Sequence, residues 1–346
     1  MIYKISRPVS VLNASVKLPA SKSISNRLLI IHALSGNKGL PEGLSDSDDT
    51  DVMVHALQGS SDDAAGMTGE SHSTLGEENE MAGEHSGASG DTNEDAGTDA
   101  YNLPVHDIGH AGTSMRFLTA FFSARKGEEV VLTGSPRMKQ RPIGPLVDAL
   151  RTLGADITYT EKEGFPPLKI SGRELEGGEI AIDGGISSQF ISALLMTAPT
   201  MKHGLRLELK GEIVSASYIK MTLALMRECG VESLWSGNHI AIPRDAYRHG
   251  RYRVEADWSA ASYWYAMGFL ESRGRVELTG LKEESLQGDS ALVEIFGRLG
   301  MMTVFDGEKV ILERGPGQQE KAKIFEYDFT NCPDIVQSMV VTLCLK

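Results

Sequence analysis

Apolar residues recur along this chain at helical spacing and then stop at glycine. Leu146, Val147, Ala149, Leu150 and Leu153 mark one face of a helix that ends at Gly154, and a strand through Ile157 follows. The same pattern returns at 223–231 and at 292–301, which places Gly154, Gly230 and Gly300 76 and 70 residues apart. A weaker copy, 52–59, ends at Gly59. Between these helices, runs at 129–133, 168–171, 204–209, 239–242, 276–278 and 309–312 predict short strands, several with apolar and polar positions in alternation. A period near 70 residues is too long for a solenoid and points to a repeated α/β supersecondary unit. The chain of 346 residues is long enough for two domains or one large one, and a boundary is expected near 243–245, where one unit closes. The last stretch, 334–346, reads as an apolar helix with no glycine cap. Either earlier elements bury it or the chain ends inside a domain; the second is expected, because the third unit lacks its strand partner.

Composition changes this picture in one place. The net charge is −13, but residues 59–100 hold eleven Asp and Glu and no Lys or Arg, so the remainder is close to neutral. That stretch has too few large apolar residues to offset chain entropy and is expected to be a mobile acidic insert. Its acids, with His72 and His85, lack an ordered ligand pattern, so no metal is expected there. A near-neutral remainder with local basic clusters argues against nucleic acid and suits a small anionic ligand. The chain has no long apolar run for a membrane span and no signal-peptide pattern at its start. Cys229, Cys332 and Cys344 are scattered, as in a reducing cytoplasm.

Several helix starts carry candidate chemistry. Ser21, Lys22, Ser23 and Arg27 open an apolar helix; they either cap it or cradle an anion at the positive end of its dipole. Gly112 begins a second helix, where glycine permits either a tight turn or a close backbone approach to a ligand. The loop 134–145 holds Arg137, Lys139 and Arg141 among three prolines, which reduce the entropy lost on holding those charges in place. Ser187, Ser188 and Gln189 open a helix running 191–198, where they either cap it or bind a hydroxylated substrate, and Ser215 and Tyr218 open another in the same manner. Asp334 follows Pro333 at the start of the last helix.

Taken together, LPASKSISNR at 18–27, SDSDDT at 45–50, AGTSMR at 111–116, SPRMKQRPIG at 135–144, LVDALRTLGA at 146–155, SSQFISALLMTAP at 187–199 and LQGDS at 286–290 resemble the 5-enolpyruvylshikimate-3-phosphate synthase family. CPDIVQSM at 332–339 matches more loosely. The resemblance implies an α/β, two-domain enolpyruvyl-transferase fold built from βαβαββ units. It implies an N-terminal domain at 20–242, interrupted by the insert 59–100, and an incomplete C-terminal domain formed by 1–19 with 243–346. It also implies transfer of the enolpyruvyl group of phosphoenolpyruvate to the 5-hydroxyl of shikimate 3-phosphate, without metal or cofactor, by a cytoplasmic monomer. Lys22, Ser23, Arg27, Ser187, Ser188, Gln189, Ser215 and Tyr218 would then meet shikimate 3-phosphate, and Lys22, Gly112, Arg141 and Gln189 phosphoenolpyruvate. Asp334 matches the proton acceptor and, with Lys22, makes the catalytic pair.

The chain departs from the family at His110 (usually Asn), Phe117 (often Pro) and Ala216-Ser217 (usually Lys-Pro). The acidic insert replaces part of a repeat unit. The family continues for about 60–80 further residues, which carry more of the phosphoenolpyruvate site. A C-terminally truncated chain is therefore expected, with an alternative function: an inactive fragment that binds shikimate 3-phosphate alone.

Overall fold

Glycine in the left-handed region ends the three repeated helices, with φ of 103° at Gly154, 86° at Gly230 and 90° at Gly300. The computed structural model describes residues 11–37, 39–62, 103–248, 252–271, 274–314 and 324–345. Beyond residue 62, the acidic stretch 59–100 lies outside the described residues, as do His72 and His85. The weaker copy does not stop where the pattern predicted. Gly59 has no positive φ, its Cα faces the His106 ring, and α2 (Asp48–Asp62) runs on past it.

Three four-stranded sheets share one topology. The first joins β2 (Val105–Asp107), β3 (Glu129–Thr133), β4 (Asp156–Tyr159) and β5 (Leu168–Ser171) in the order β2-β3-β5-β4. The second joins β6 (Gly178–Asp183), β7 (Leu205–Lys210), β8 (Leu234–Ser236) and β9 (His239–Ile242) in the order β6-β7-β9-β8. The third joins β1 (Asn13–Lys17), β10 (Arg275–Thr279), β11 (Met301–Asp306) and β12 (Lys309–Arg314) in the order β1-β10-β12-β11. In each, the first pair is parallel and the rest antiparallel, as a βαβαββ unit requires. The third unit borrows its first strand from the chain start, where Val16 registers with Leu278.

Helices α3 (Gly112–Ser123) and α4 (Gly144–Thr152) serve the first sheet, and α5 (Ser188–Thr197) and α6 (Ala216–Glu228) the second. Together with α1 (Lys22–Leu34), the helices α3 and α5 are buried over most of their length and pack against one another. Helices apolar nearly all round belong at the centre of a lobe, with sheets outside. This first core takes in Ile24 through Val254, including Tyr247, whose hydroxyl donates to Met196 O at 2.8 Å. A second core holds Leu18 and then Ala256 onward, around α7 (Trp258–Leu270), α8 (Leu292–Arg298) and α9 (Val336–Cys344). Helix α9 packs its Met339 and Thr342 against this core and leaves Val340 and Val341 exposed.

The chain passes between the cores at two adjacent places. Ser21 N donates to Glu255 O at 2.8 Å and Asp257 N to Pro19 O at 2.9 Å, so the passages form a short antiparallel ribbon. Gln287 secures it: its Oε1 accepts from Ser21 Oγ (3.0 Å) and Trp258 N (3.1 Å), and its Nε2 donates to Glu255 Oε1 (2.9 Å) and Ala256 O (2.8 Å). This fully used amide sets α1 of one lobe and α7 of the other with their N-termini side by side, where Lys22 N donates to Asp257 Oδ2 at 3.2 Å.

Candidate active site

The first wall of the cleft begins at α1. Ser21 caps the helix, accepting from Ile24 N, and Lys22 extends into solvent. Arg27, one turn in, is only 2% exposed. Its Nε donates to Thr222 Oγ1 at 2.7 Å, Nη1 to Ser23 O at 2.8 Å and Nη2 to Ser192 Oγ at 3.2 Å. The guanidinium also lies against the rings of Phe117 and Tyr218. All these partners are neutral, and burial draws Arg27 down to about 10. Its charge is held by hydrogen bonds but not cancelled, so its potential remains available above it.

At the start of α3, two further arginines crowd a glycine. A Cβ on Gly112 would fall 2.3 Å from Arg141 Nη1 and 2.9 Å from Arg116 Nη1. Arg116 donates to Gly112 O at 2.8 Å, while its buried Nε has no hydrogen-bond partner. Burial, and then repulsion from Arg141, lowers Arg116 to about 10. Two cations at the positive end of a helix repel each other and the dipole, and this arrangement is relieved by an anion. Beside them a cavity of about 380 Å³ is lined by His110, Arg137, Met138 and Arg141. Gln189 Nε2 donates to Thr113 Oγ1 at 3.1 Å, which ties the start of α5 to this point.

Ser187 caps α5, accepting from Gln189 N, and Ser188 is the first helical residue. Ser215 behaves differently from the expected cap. It makes no side-chain cap bond and has a φ of 55°, the one described non-glycine residue in the left-handed region. Its N–H instead donates to Thr330 O at 3.2 Å, across to the second lobe. The backbone conformation is strained, and such residues gather at functional sites.

The second wall carries acids. Tyr218 donates its hydroxyl to Asp334 Oδ2, and Ser217 Oγ donates to Asn331 O at 2.6 Å. Lys22 N donates to Asp257 Oδ2 at 3.2 Å, and Asp257 also caps α7 through Ala260 N. Burial and the neighbouring carboxylates hold the Tyr218 hydroxyl far above its ordinary range, so it remains a donor. One run of contacts therefore links Ser192, Arg27, Thr222, Tyr218 and Asp334; a second brings Arg141 and Arg116 against Gly112, with Gln189 bonded to the next residue, Thr113.

Residues 6–345 match the family model of EPSP synthase (3-phosphoshikimate 1-carboxyvinyltransferase). The chain belongs to the EPSP synthase family. The 3-phosphoshikimate 1-carboxyvinyltransferase of Bacteroides fragilis is 44% identical over 346 residues, covering 100% of this chain and 73% of that relative. That of Photobacterium damsela subsp. piscicida is 38% identical over 336 residues, covering 96% and 74%. The structure of EPSP synthase from Acinetobacter baumannii superposes with a TM-score of 0.69 over 96% of this chain and 71% of its own, at 18% identity, and so shares the fold. Among the described residues, no helix is long and apolar enough to cross a membrane.

Reasoning from sequence gave no role to Arg116, Thr222 or Ser192. Arg116 lies one helical turn after Gly112, and that spacing was a usable signal. Thr222 and Ser192 lie within apolar helical runs and carried none.

Proposed function

We propose that the cationic helix starts of the first lobe hold two anionic substrates against the acidic wall of the second. The reaction is the family's: the enolpyruvyl group of phosphoenolpyruvate passes to the 5-hydroxyl of shikimate 3-phosphate, and phosphate is released. The observation that carries this reading is the pair Arg116 and Arg141 against Gly112 at the start of α3, with Arg27 buried in the first turns of α1, none of them with a carboxylate partner among the described residues. Polyanions are what such a wall attracts. Charge-assisted hydrogen bonds of roughly 1.5–3 kcal/mol each offset the repulsion between two of them.

In this scheme Lys22, Ser23, Ser187, Ser188, Gln189 and Ser215 hold shikimate 3-phosphate, and Arg27 supports it from beneath through Ser23 and Tyr218. Phosphoenolpyruvate lies over Gly112 between Lys22, Arg141 and Gln189, where only a residue without a Cβ leaves the guanidiniums in place. Asp334 takes the proton of the 5-hydroxyl as its oxygen bonds to C2 of phosphoenolpyruvate and C3 gains a proton. The adduct then loses a proton from C3 and phosphate from C2, which restores the C2=C3 double bond and leaves the enolpyruvyl ether on the 5-oxygen. Positioning and acid–base transfer account for both steps.

The scheme places the reaction between two domains, near 20–242 and 1–19 with 243–346. The two cores support that division, and Tyr247 and Val254 in the first core favour setting the second passage at 254–256. A cytoplasmic monomer without nucleic-acid partners is part of the same reading. Release of inorganic phosphate from the two substrates by the 346-residue chain tests it. Turnover is expected; binding of shikimate 3-phosphate with no phosphate released would instead support the binding-fragment alternative.

A further inference from the structure

The second wall contains a carboxyl that the transfer scheme leaves unused. Asp289 lies in a 3₁₀ turn, Gly288–Ala291, and is 3% exposed. Its Oδ2 accepts from Ser259 Oγ at 2.5 Å, while its Oδ1 is shut off from solvent with no hydrogen-bond partner. The turn has little room to move. A Cβ on Gly288 would lie 2.2 Å from Asn331 O and 2.8 Å from Ser217, so the backbone is pressed between the first lobe and the segment leading to Asp334. The charged groups that bear on Asp289 are Asp334, from the turn before α9, and Asp257, from the cap of α7. Tyr218 and Cys332 are the weaker acids beside it, and Arg27 acts on Tyr218 from beneath. Among the described residues, the charged groups that act on Asp289 are both acids, and its hydrogen-bond donor is Ser259.

An ionised carboxylate with a buried, unsatisfied oxygen is costly, and two neighbouring carboxyls tend to hold one proton between them. We propose that Asp289 is a positioning residue for the transfer reaction: its buried carboxyl, with one oxygen unpaired and its turn pressed against the segment that leads to Asp334, holds a proton and so limits the negative charge of the wall that meets the substrate. The inference rests on reading Asp334 as the proton acceptor. Burial, with Asp334 and Asp257 next, pushes the Asp289 carboxyl up to about 7, in agreement with the geometry. Below neutrality Asp289 keeps its proton and adds no charge to the wall. Above it the wall gains a second negative charge facing a polyanionic substrate, and binding of shikimate 3-phosphate weakens.

Calorimetry of shikimate 3-phosphate binding to the 346-residue chain tests this from pH 6 to pH 8.5. The substrate phosphate titrates in this range, so the informative quantity is the ratio of variant to native Kd at each pH. For Asp289→Asn, a neutral isostere, the ratio should be near one at pH 6 and fall to about one fifth at pH 8.5, the effect of one charge at intermediate range. Native protein should also take up more protons on binding at pH 8 than the variant. Ser259→Ala removes the one hydrogen bond that favours the ionised form, so the onset of weakened binding should move to higher pH. That arm remains decisive where Asp289→Asn does not fold. In Asp334→Asn the onset should move to lower pH, because the neighbouring charge is gone. A ratio that stays constant with pH, or an onset unmoved by both Ser259→Ala and Asp334→Asn, overturns the proposal. Full turnover by Asp334→Asn would remove Asp334 as proton acceptor, a separate failure that these binding measurements do not share.

Discussion

The two walls of the cleft have opposite electrostatics, and neither neutralises the other. The ion pairs among the described residues leave out Lys22, Arg27, Arg116 and Arg141. The first wall satisfies its buried cations with hydroxyls and carbonyls, as at Thr222, Ser192 and Gly112 O. The second wall gathers Asp257, Asp289 and Asp334, and it touches the first through Tyr218, Ser217 and backbone groups. Salt bridges between the walls would be the obvious way to hold them together, but in the proposed scheme they would consume the charge that binds the substrates. Neutral contacts join the lobes, which in the proposed scheme leaves one wall for anions and the other for proton transfer.

The comparison breaks most sharply at Asp334. In the active chain, Asp334→Asn should lower kcat by roughly 10²–10⁴ with little change in substrate affinity. Near-native turnover would move proton acceptance elsewhere. On the opposite wall, Arg27→Ala should weaken shikimate 3-phosphate binding by on the order of tenfold or more, as read by calorimetry. Unchanged affinity would make the buried guanidinium purely structural. Gly112→Ala is a finer test. Its methyl collides with Arg141 Nη1, so KM for phosphoenolpyruvate should rise by about tenfold while affinity for shikimate 3-phosphate stays within about twofold.

The smallest effect concerns stability. Asp289 has a folded pKa raised above the unfolded one, chiefly by burial, so the folded chain keeps a proton that the unfolded chain releases. Stability from this group is full below the ordinary carboxylate range and declines as pH rises from about 4 through about 7. Asp289→Asn should therefore lessen the fall in Tm between pH 5 and pH 8 by a few degrees, roughly, measured calorimetrically. Identical Tm profiles would mean that Asp289 stays ionised in the fold.

Much of this was legible in the chain before folding. The repeated helices and their glycine stops follow from spacing and from the left-handed turn that glycine tolerates, and Gly154, Gly230 and Gly300 adopt it. The predicted strands at 129–133, 168–171 and 239–242 match the observed ones, because alternation is a local property. Gly59 misled because a glycine inside a helix looks the same in sequence as one after its end. Ser215 left a cap and a ligand contact equally open in sequence; the fold removes the cap, because its N–H turns to Thr330 O of the other lobe and its backbone is left-handed.

Local pattern alone therefore determined the three main repeats with their glycine stops and which helix starts carry cations. Tertiary structure decided how those charges are used. It placed Arg27 among hydroxyls instead of in water, set Arg116 beside Arg141, and closed Asp289 between two turns distant in sequence. The reason is physical: propensity and periodicity act over a few residues, whereas burial and the field at a charge depend on every element that packs around it.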